Sequence, residues 1–308
     1  MLYNSFLFKF SSVDSKTYPA SKRTRWEILE ELHNQTNWYD VEHDGWRLPA
    51  NEEPHDWCGS WQTKGCLNVE GHAHTEYRGK IYIKTYQRSC YRASCEKCYM
   101  KWIAREANKA TRRIQKYEEI SGKNAKHIII SPPYWLRFSS DKELKKQARL
   151  RLEEAGCIGG TMIFHPFRFN KEQKLWYYSP HFHVVGFGWI IGTDEIYKQK
   201  GWIIKNKGFR DSTFSTFFYI LSHAGIKKRS HTVTWFGGLS YSKLKVEKEL
   251  ETDVCPLCNL KLEPLSFFKH GEPPPPDAEI EMFVDPDGWS PKFASGLYYA
   301  NKGIDLRL

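Results

Sequence analysis

The stretch from Gly160 to Phe187 constrains the fold more than any other part of the chain. Residues 160–169 read as one strand, rich in apolar and aromatic side chains, and Asn170 to Gln173 read as a polar turn. Leu175 then leads through Trp176 and Tyr177 into a second strand that carries Phe182, Val184, Val185 and Phe187. Two strands joined this closely form an antiparallel hairpin. Around it, strands at 127–131 and 231–236 alternate with helices at 99–121, 140–155 and 211–222. The pattern predicts an α+β fold with a central antiparallel sheet and flanking helices, not a doubly wound parallel one.

The chain divides by composition into four segments. Residues 1–57 are polar and mixed, with an amphipathic helix at 24–33 and no assigned role. Residues 58–122 hold a cysteine cluster, an alternating strand at 77–86 and a basic helix. Residues 123–250 form the core, and 251–308 hold a second cysteine pair and a tail. Within the tail, Pro273 to Pro276 read as an extended linker.

The second strand of the hairpin contains His181-Phe182-His183. In a strand, residues two apart share a face, so the imidazoles project together and Phe182 faces the opposite side. Side by side they make half of a divalent-metal site. His165, brought alongside by the hairpin, is the candidate third ligand. His72-Ala73-His74 repeats the spacing in polar, glycine-containing surroundings and is not read as a catalytic pair, though either ring is able to ligate zinc. Beyond the hairpin, Tyr219 and His223 are four apart on a helical pattern closed by Gly225, so they share one helical face. A tyrosine beside positive charge or a metal can act as a nucleophile. Tyr241, in a Gly-Ser stretch, is the rival; its segment has less helical character.

Seven of the eight cysteines fall in two short-spaced clusters. With no signal peptide read at the N-terminus, this spacing favours zinc over disulfides. Cys90, Cys95 and Cys98 with Cys66 are the expected four-thiolate site; Cys58, His72 and His74 are the alternatives for the fourth corner. Cys255 and Cys258 are half of a second site, whose partners are sought among His270, His231 and Cys58. Cys157 stands alone and is expected in the core.

The formal charge of +10 suits a polyanionic partner. The helix after Cys98 carries Arg105, Lys109, Arg112 and Arg113 at spacings that make a basic face, and with Arg168 and Lys227 these are the expected nucleic-acid contacts. No apolar run approaches the roughly 20 residues that span a bilayer. A cytoplasmic protein with no membrane partner is expected.

A strand ending Ser131-Pro132-Pro133, then His181-Phe182-His183 before an apolar strand, then Tyr219 on a following helix, resembles the HUH endonuclease superfamily. The three elements occur in that family's order. Tyr219-Ile-Leu-Ser222-His223-Ala-Gly225, with zinc-type cysteines upstream, looks most like replication initiators of archaeal rolling-circle plasmids and viruses. The resemblance covers about 125–245, and His223 stands near where many members carry a lysine. It implies a ferredoxin-like or RRM-like core and a Mn2+ or Mg2+ ion held by the histidines. It also implies nicking and joining of single-stranded DNA at a replication origin through a 5′-phosphotyrosine formed by Tyr219, with host replication proteins as further partners. His223 would move protons or assist the metal. A single-strand transposase of the same superfamily, and a zinc-dependent DNA-binding regulator without catalysis, are the alternatives.

Overall fold

Apolar strands and amphipathic helices build the structure. The computed structural model describes residues 33–247, 253–267 and 279–292; the predicted helix at 24–33 lies almost wholly outside them, and the proline run and His270 wholly so. In chain order come the short pair β1 (Glu42–His43) and β2 (Trp46–Arg47), then β3 (Trp61–Cys66), β4 (Ile81–Gln87), α1 (Tyr99–Ser121), β5 (Lys126–Ser131) and α2 (Asp141–Glu154). The hairpin β6 (Cys157–Asn170) and β7 (Leu175–Gly188) is followed by α3 (Thr193–Lys200), β8 (Ile203–Phe209), α4 (Thr213–Ser222) and β9 (Val233–Gly237). The chain then adds β10 (Glu263–Phe267), β11 (Ile280–Val284) and β12 (Trp289–Pro291).

The helix ends follow local chemistry. Ser140 caps α2 by accepting from the Glu143 amide, and Ser212 caps α4 by accepting from the Ser215 amide. α1 closes at Gly122, whose φ of 64° is the left-handed turn glycine favours. Ile103, Ala107, Ala110 and Ile114 make its buried stripe, and Arg105, Lys109, Arg112 and Lys116 face the other way.

Two five-stranded antiparallel sheets result. The central one has the order β8-β5-β7-β6-β9, with β7 in the middle. Helices cover both of its faces, which is why β6 and β7 are apolar on both sides rather than alternating with polar residues. Ile163, Val185 and Phe187 meet α1 and α4 on one face. Phe164, Phe182 and Val184 meet α2 and α3 on the other. Cys157 is buried there, as expected. The fold is thus α+β with antiparallel sheets. The second sheet, β11-β4-β3-β10-β12, joins strands of segments 58–122 and 251–308. Residues 33–52 lie across the central sheet: Trp38 is wholly buried, and Trp46 packs edge-on against Phe164. No helix among the described residues is long and apolar enough to cross a membrane.

Candidate metal centre and cleft

β7 carries His181 and His183 to the face covered by α1 and α4. His165 is directly opposite His181 across the β6–β7 pairing, so it shares that face. The register then passes from His165↔His181 to Phe167↔Tyr178, a bulge that accommodates Pro166, which has no N–H to donate to the ladder.

His223 arrives from above, as the residue that ends α4. Gly225 brings it down: its N–H donates to the Phe164 carbonyl at 2.9 Å, and a Cβ there would lie 2.4 Å from Cδ of Pro166. Only glycine allows that approach. The ligand nitrogens of His165, His183 and His223 then lie within 4.8 Å of one another. The compact trio therefore contains His223 in place of His181. A carbonyl holds His181 aside: its Nδ1–H donates to Ser179 O at 3.0 Å, with its ring centroid 5.2 Å from those of His165 and His183.

Neighbours fix the rings. The Ser222 hydroxyl donates to the Tyr219 carbonyl at 2.7 Å, so toward His223 it accepts, from Nδ1–H at 3.1 Å; Nε2 keeps its lone pair. His183 Nδ1 is 2.8 Å from Nε2 of His127, and Arg210 reaches Nδ1 of His127 at 3.1 Å. His165 is fully buried, and neither ring nitrogen has a partner. Such a group costs about 1–3 kcal/mol per unpaired atom unless something satisfies it. A cation bonded to the nitrogen that bears the lone pair would satisfy that atom, so the residues fit a metal ion. Burial, reinforced by the neighbouring rings, holds His165 and His183 well below the usual histidine range. Burial likewise pushes His223 down to about 4 and His181 down to about 3. All are neutral near pH 7, the state that binds metal. The trio contains no carboxylate.

His181, His183 and His223 line a cleft of about 690 Å³. Trp38, Phe167, Phe169 and Trp176 form aromatic walls, Arg168 and Lys171 supply positive charge, and no acidic side chain lines it. Tyr219 is exposed at its edge, its ring 5.0 Å from that of His223. Arg168 donates to the hydroxyl of Ser131, in the Ser-Pro-Pro turn, at 2.9 Å. Asn37 fastens the Trp38 wall by bonding both the N–H and the carbonyl of Trp176.

The other expected nucleic-acid contacts lie elsewhere. Arg105, Lys109, Arg112, Arg113 and Lys227 line a separate groove, as does Tyr241, which takes no part in the histidine cleft. Two of them are committed to the protein. Arg113 is buried and donates to the carbonyls of Leu239 and Leu244 at 3.0 and 2.9 Å. Lys227 is paired with Asp44 at 3.1 Å and lies 4.0 Å from Asp141.

The cysteines form two four-ligand clusters. Cys58, not Cys66, completes the set of Cys90, Cys95 and Cys98. The Cys58 and Cys95 sulfurs are 3.8 Å apart, close to the spacing around a tetrahedral zinc with bonds of about 2.3 Å. Cys66 joins His72, Cys255 and Cys258 instead, so neither His270 nor His231 is needed. The reason is β3: its six residues, at about 3.3 Å each, separate Cys58 at one end from Cys66 at the other. His72 Nδ1–H donates to the Lys80 carbonyl at 2.8 Å, which turns Nε2 to Cys255 Sγ at 3.2 Å. Both clusters could hold a structural metal such as zinc. The described cysteines are free of disulfides.

Sequence reasoning passed over His127, Arg210, Asn37 and Trp38. His127 alone left a signal: it lies two residues before Ile129, which pairs with His183, and so shares the histidine face. Comparison with protein-family models, with characterised proteins and with solved structures gives no match.

Proposed function

We propose that the protein is a metal-dependent DNA-nicking and joining enzyme of the HUH type, acting as a rolling-circle replication initiator. One observation carries the reading: a solvent-accessible phenol, Tyr219, stands one helical turn before His223, in a cleft that joins three closely set imidazoles to aromatic walls and cations without any carboxylate. Such a cleft suits a phosphodiester flanked by bases. The connectivity β5-α2-β6-β7-α3-β8, with those strands in the order β8-β5-β7-β6, supports the reading, since a split βαβ, ferredoxin-like core would have that order.

His165, His183 and His223 would hold the ion. There it would supply Lewis acidity toward the scissile phosphate. An all-imidazole set suits a transition ion better than Mg2+, which prefers oxygen ligands. Tyr219 Oη attacks phosphorus, the P–O3′ bond breaks, and the 5′ end stays on the tyrosine. The phenolic proton passes to a base in the cleft or to solvent; His181, which lines the cleft outside the trio, is the candidate among the histidines. The departing 3′ oxygen leaves as the hydroxyl after taking a proton from solvent. The covalent link conserves the bond energy for rejoining. Arg168 and Lys171 steady the phosphate charge.

The test is incubation with single-stranded oligonucleotides and Mn2+. Wild type should form a covalent adduct and Tyr219→Phe none. An adduct retained by Tyr219→Phe refutes the nucleophile; cleavage without any adduct refutes the class.

A further inference from the structure

The groove lined by Tyr241 is about 1440 Å³, twice the volume of the histidine cleft. It runs along the exposed side of α1, where Arg105, Lys109 and Arg112 follow at helical spacing, and faces the segment from Ile226 to Trp235. Eight lysines and arginines line it against four glutamates. Several cations are neutralised locally: Lys109 lies 3.1 Å from Glu106, and Arg92 lies 2.9 Å from Glu52. Lys228 is exposed. A net positive groove is the electrostatic half of a polyanion site.

The second half is aromatic. Arg105 stacks on Tyr91 at 4.7 Å, and Arg113 lies 4.6 Å from the ring of Tyr241 and 5.3 Å from Trp235. Tyr91 and Tyr241 remain 44% and 63% exposed. Surface tyrosines propped by guanidinium groups are flat, rigid platforms on which unpaired bases stack. A third observation is independent of charge. Asn51 lines the groove with its side-chain amide nitrogen and oxygen both buried and both without a partner. An amide with donor and acceptor free is matched to the edge of a nucleobase, as asparagine matches adenine.

We propose that this groove is a second binding site, for single-stranded DNA: cations of α1 and Lys228 take the phosphates, Tyr91 and Tyr241 stack bases, and Asn51 reads one base edge. The ligand class rests on the DNA-processing reading, but the groove and the histidine cleft are built from different residues and can be lost separately. Tyr241 is thereby a stacking residue, not a nucleophile.

The experiment measures fluorescence anisotropy of labelled single-stranded oligonucleotides, with adduct formation followed in parallel. Tyr91→Ala and Tyr241→Ala should each weaken binding about tenfold. Tyr241→Phe, which keeps the ring, should retain the affinity that Tyr241→Ala loses. Lys228→Ala should lower the dependence of log affinity on log salt by about 0.7. His183→Ala should lose the adduct and keep the groove's contribution to affinity. Melting temperatures identify any variant that is simply unfolded; Lys228→Ala, altering only an exposed side chain, still tests the groove in that event. Unchanged affinity in Tyr91→Ala and Lys228→Ala, or tighter binding of duplex with no effect of either tyrosine, overturns the proposal. Loss of adduct in Tyr241→Phe overturns the stacking role. If wild type forms no adduct yet the groove variants lose affinity, the nicking reading fails and the groove stands.

Discussion

Replacing His165 with leucine separates a metal centre from a merely buried histidine. His165 is wholly buried, and neither ring nitrogen has a hydrogen-bond partner in the protein. Without a cation, those two atoms cost about 1–3 kcal/mol each. A leucine removes that cost at similar volume, so His165→Leu should stabilise the metal-free protein by at least about 1 kcal/mol. For a chain of this size that raises the melting temperature by roughly 1–2 °C. With ion present the order reverses. A ligand at 100 times its dissociation constant stabilises by about 2.7 kcal/mol, equivalent to roughly 4 °C here. Wild type should gain this in Mn2+, Co2+ or Ni2+; the variant, with two imidazoles left in the trio, should gain little. The assay is thermal unfolding by circular dichroism, with and without added ion, in a weak chelator that spares zinc. If His165→Leu lowers the metal-free melting temperature, or gains as much from the ion as wild type does, His165 is structural and the metal centre is misassigned.

Two further outcomes follow from the buried side chains. Burial pushes His127 and His223 down to about 4 and His181 to about 3, and holds His165 and His183 well below the usual histidine range. An unfolded histidine titrates near 6.5, so below that pH the unfolded chain takes protons that the folded one refuses. Stability is complete above about pH 6.5 and falls as the pH drops toward 4, by about 1.4 kcal/mol per pH unit for each histidine titrating in full. Acid titration by circular dichroism should place metal-free unfolding in that window and metal-loaded unfolding lower; a metal-free midpoint below pH 4 contradicts the burial of neutral rings. For the cysteine clusters, Cys66→Ser and Cys258→Ser should lose the same zinc equivalent by atomic emission and expose residues 253–267 to protease. Cys58→Ser should lose the other equivalent. If Cys66→Ser and Cys90→Ser lose the same ion, the ligand sets are wrong.

Periodicity made the sheet legible, and long-range register hid the ligands. The β6–β7 hairpin and the shared face of His181 and His183 follow from a two-residue repeat, which a sequence displays directly. α1 was legible to the residue because its apolar and cationic stripes both keep helical spacing. The ligand sets were not. Cys58 and Cys66 are near neighbours in sequence, yet an extended strand puts them at opposite ends of β3. Cys66 instead meets Cys258, 192 positions away. His223 joins His165 only because Gly225 packs against Pro166, a contact between α4 and a bulge that no local pattern announces. Arg113 looked like one more cation of a basic face; the carbonyls that claim it come from residues more than a hundred positions on.

The cysteine cluster of Cys58, Cys90, Cys95 and Cys98 is joined mechanically to the histidine cleft. Cys98 is the residue on which α1 begins, so an ion held there fixes the head of that helix. Twelve residues on, the buried stripe of α1 presents Ala107 and Ala110 to Phe217, Ile220 and Leu221 of α4. Small side chains at that contact let the two helices approach closely. The same apolar stripe of α4 fixes its rotation, and rotation decides where Tyr219 and His223 point, since neither belongs to the stripe. From the other side, Gly225 sets the height of α4 over β6. The phenol and the third imidazole therefore rest on two contacts of different kinds, packing against α1, whose head an ion in this cluster would pin, and the glycine contact on the other side. Zinc in this cluster would act on the cleft through the placement of α4, with none of its ligands among the residues that line that cleft.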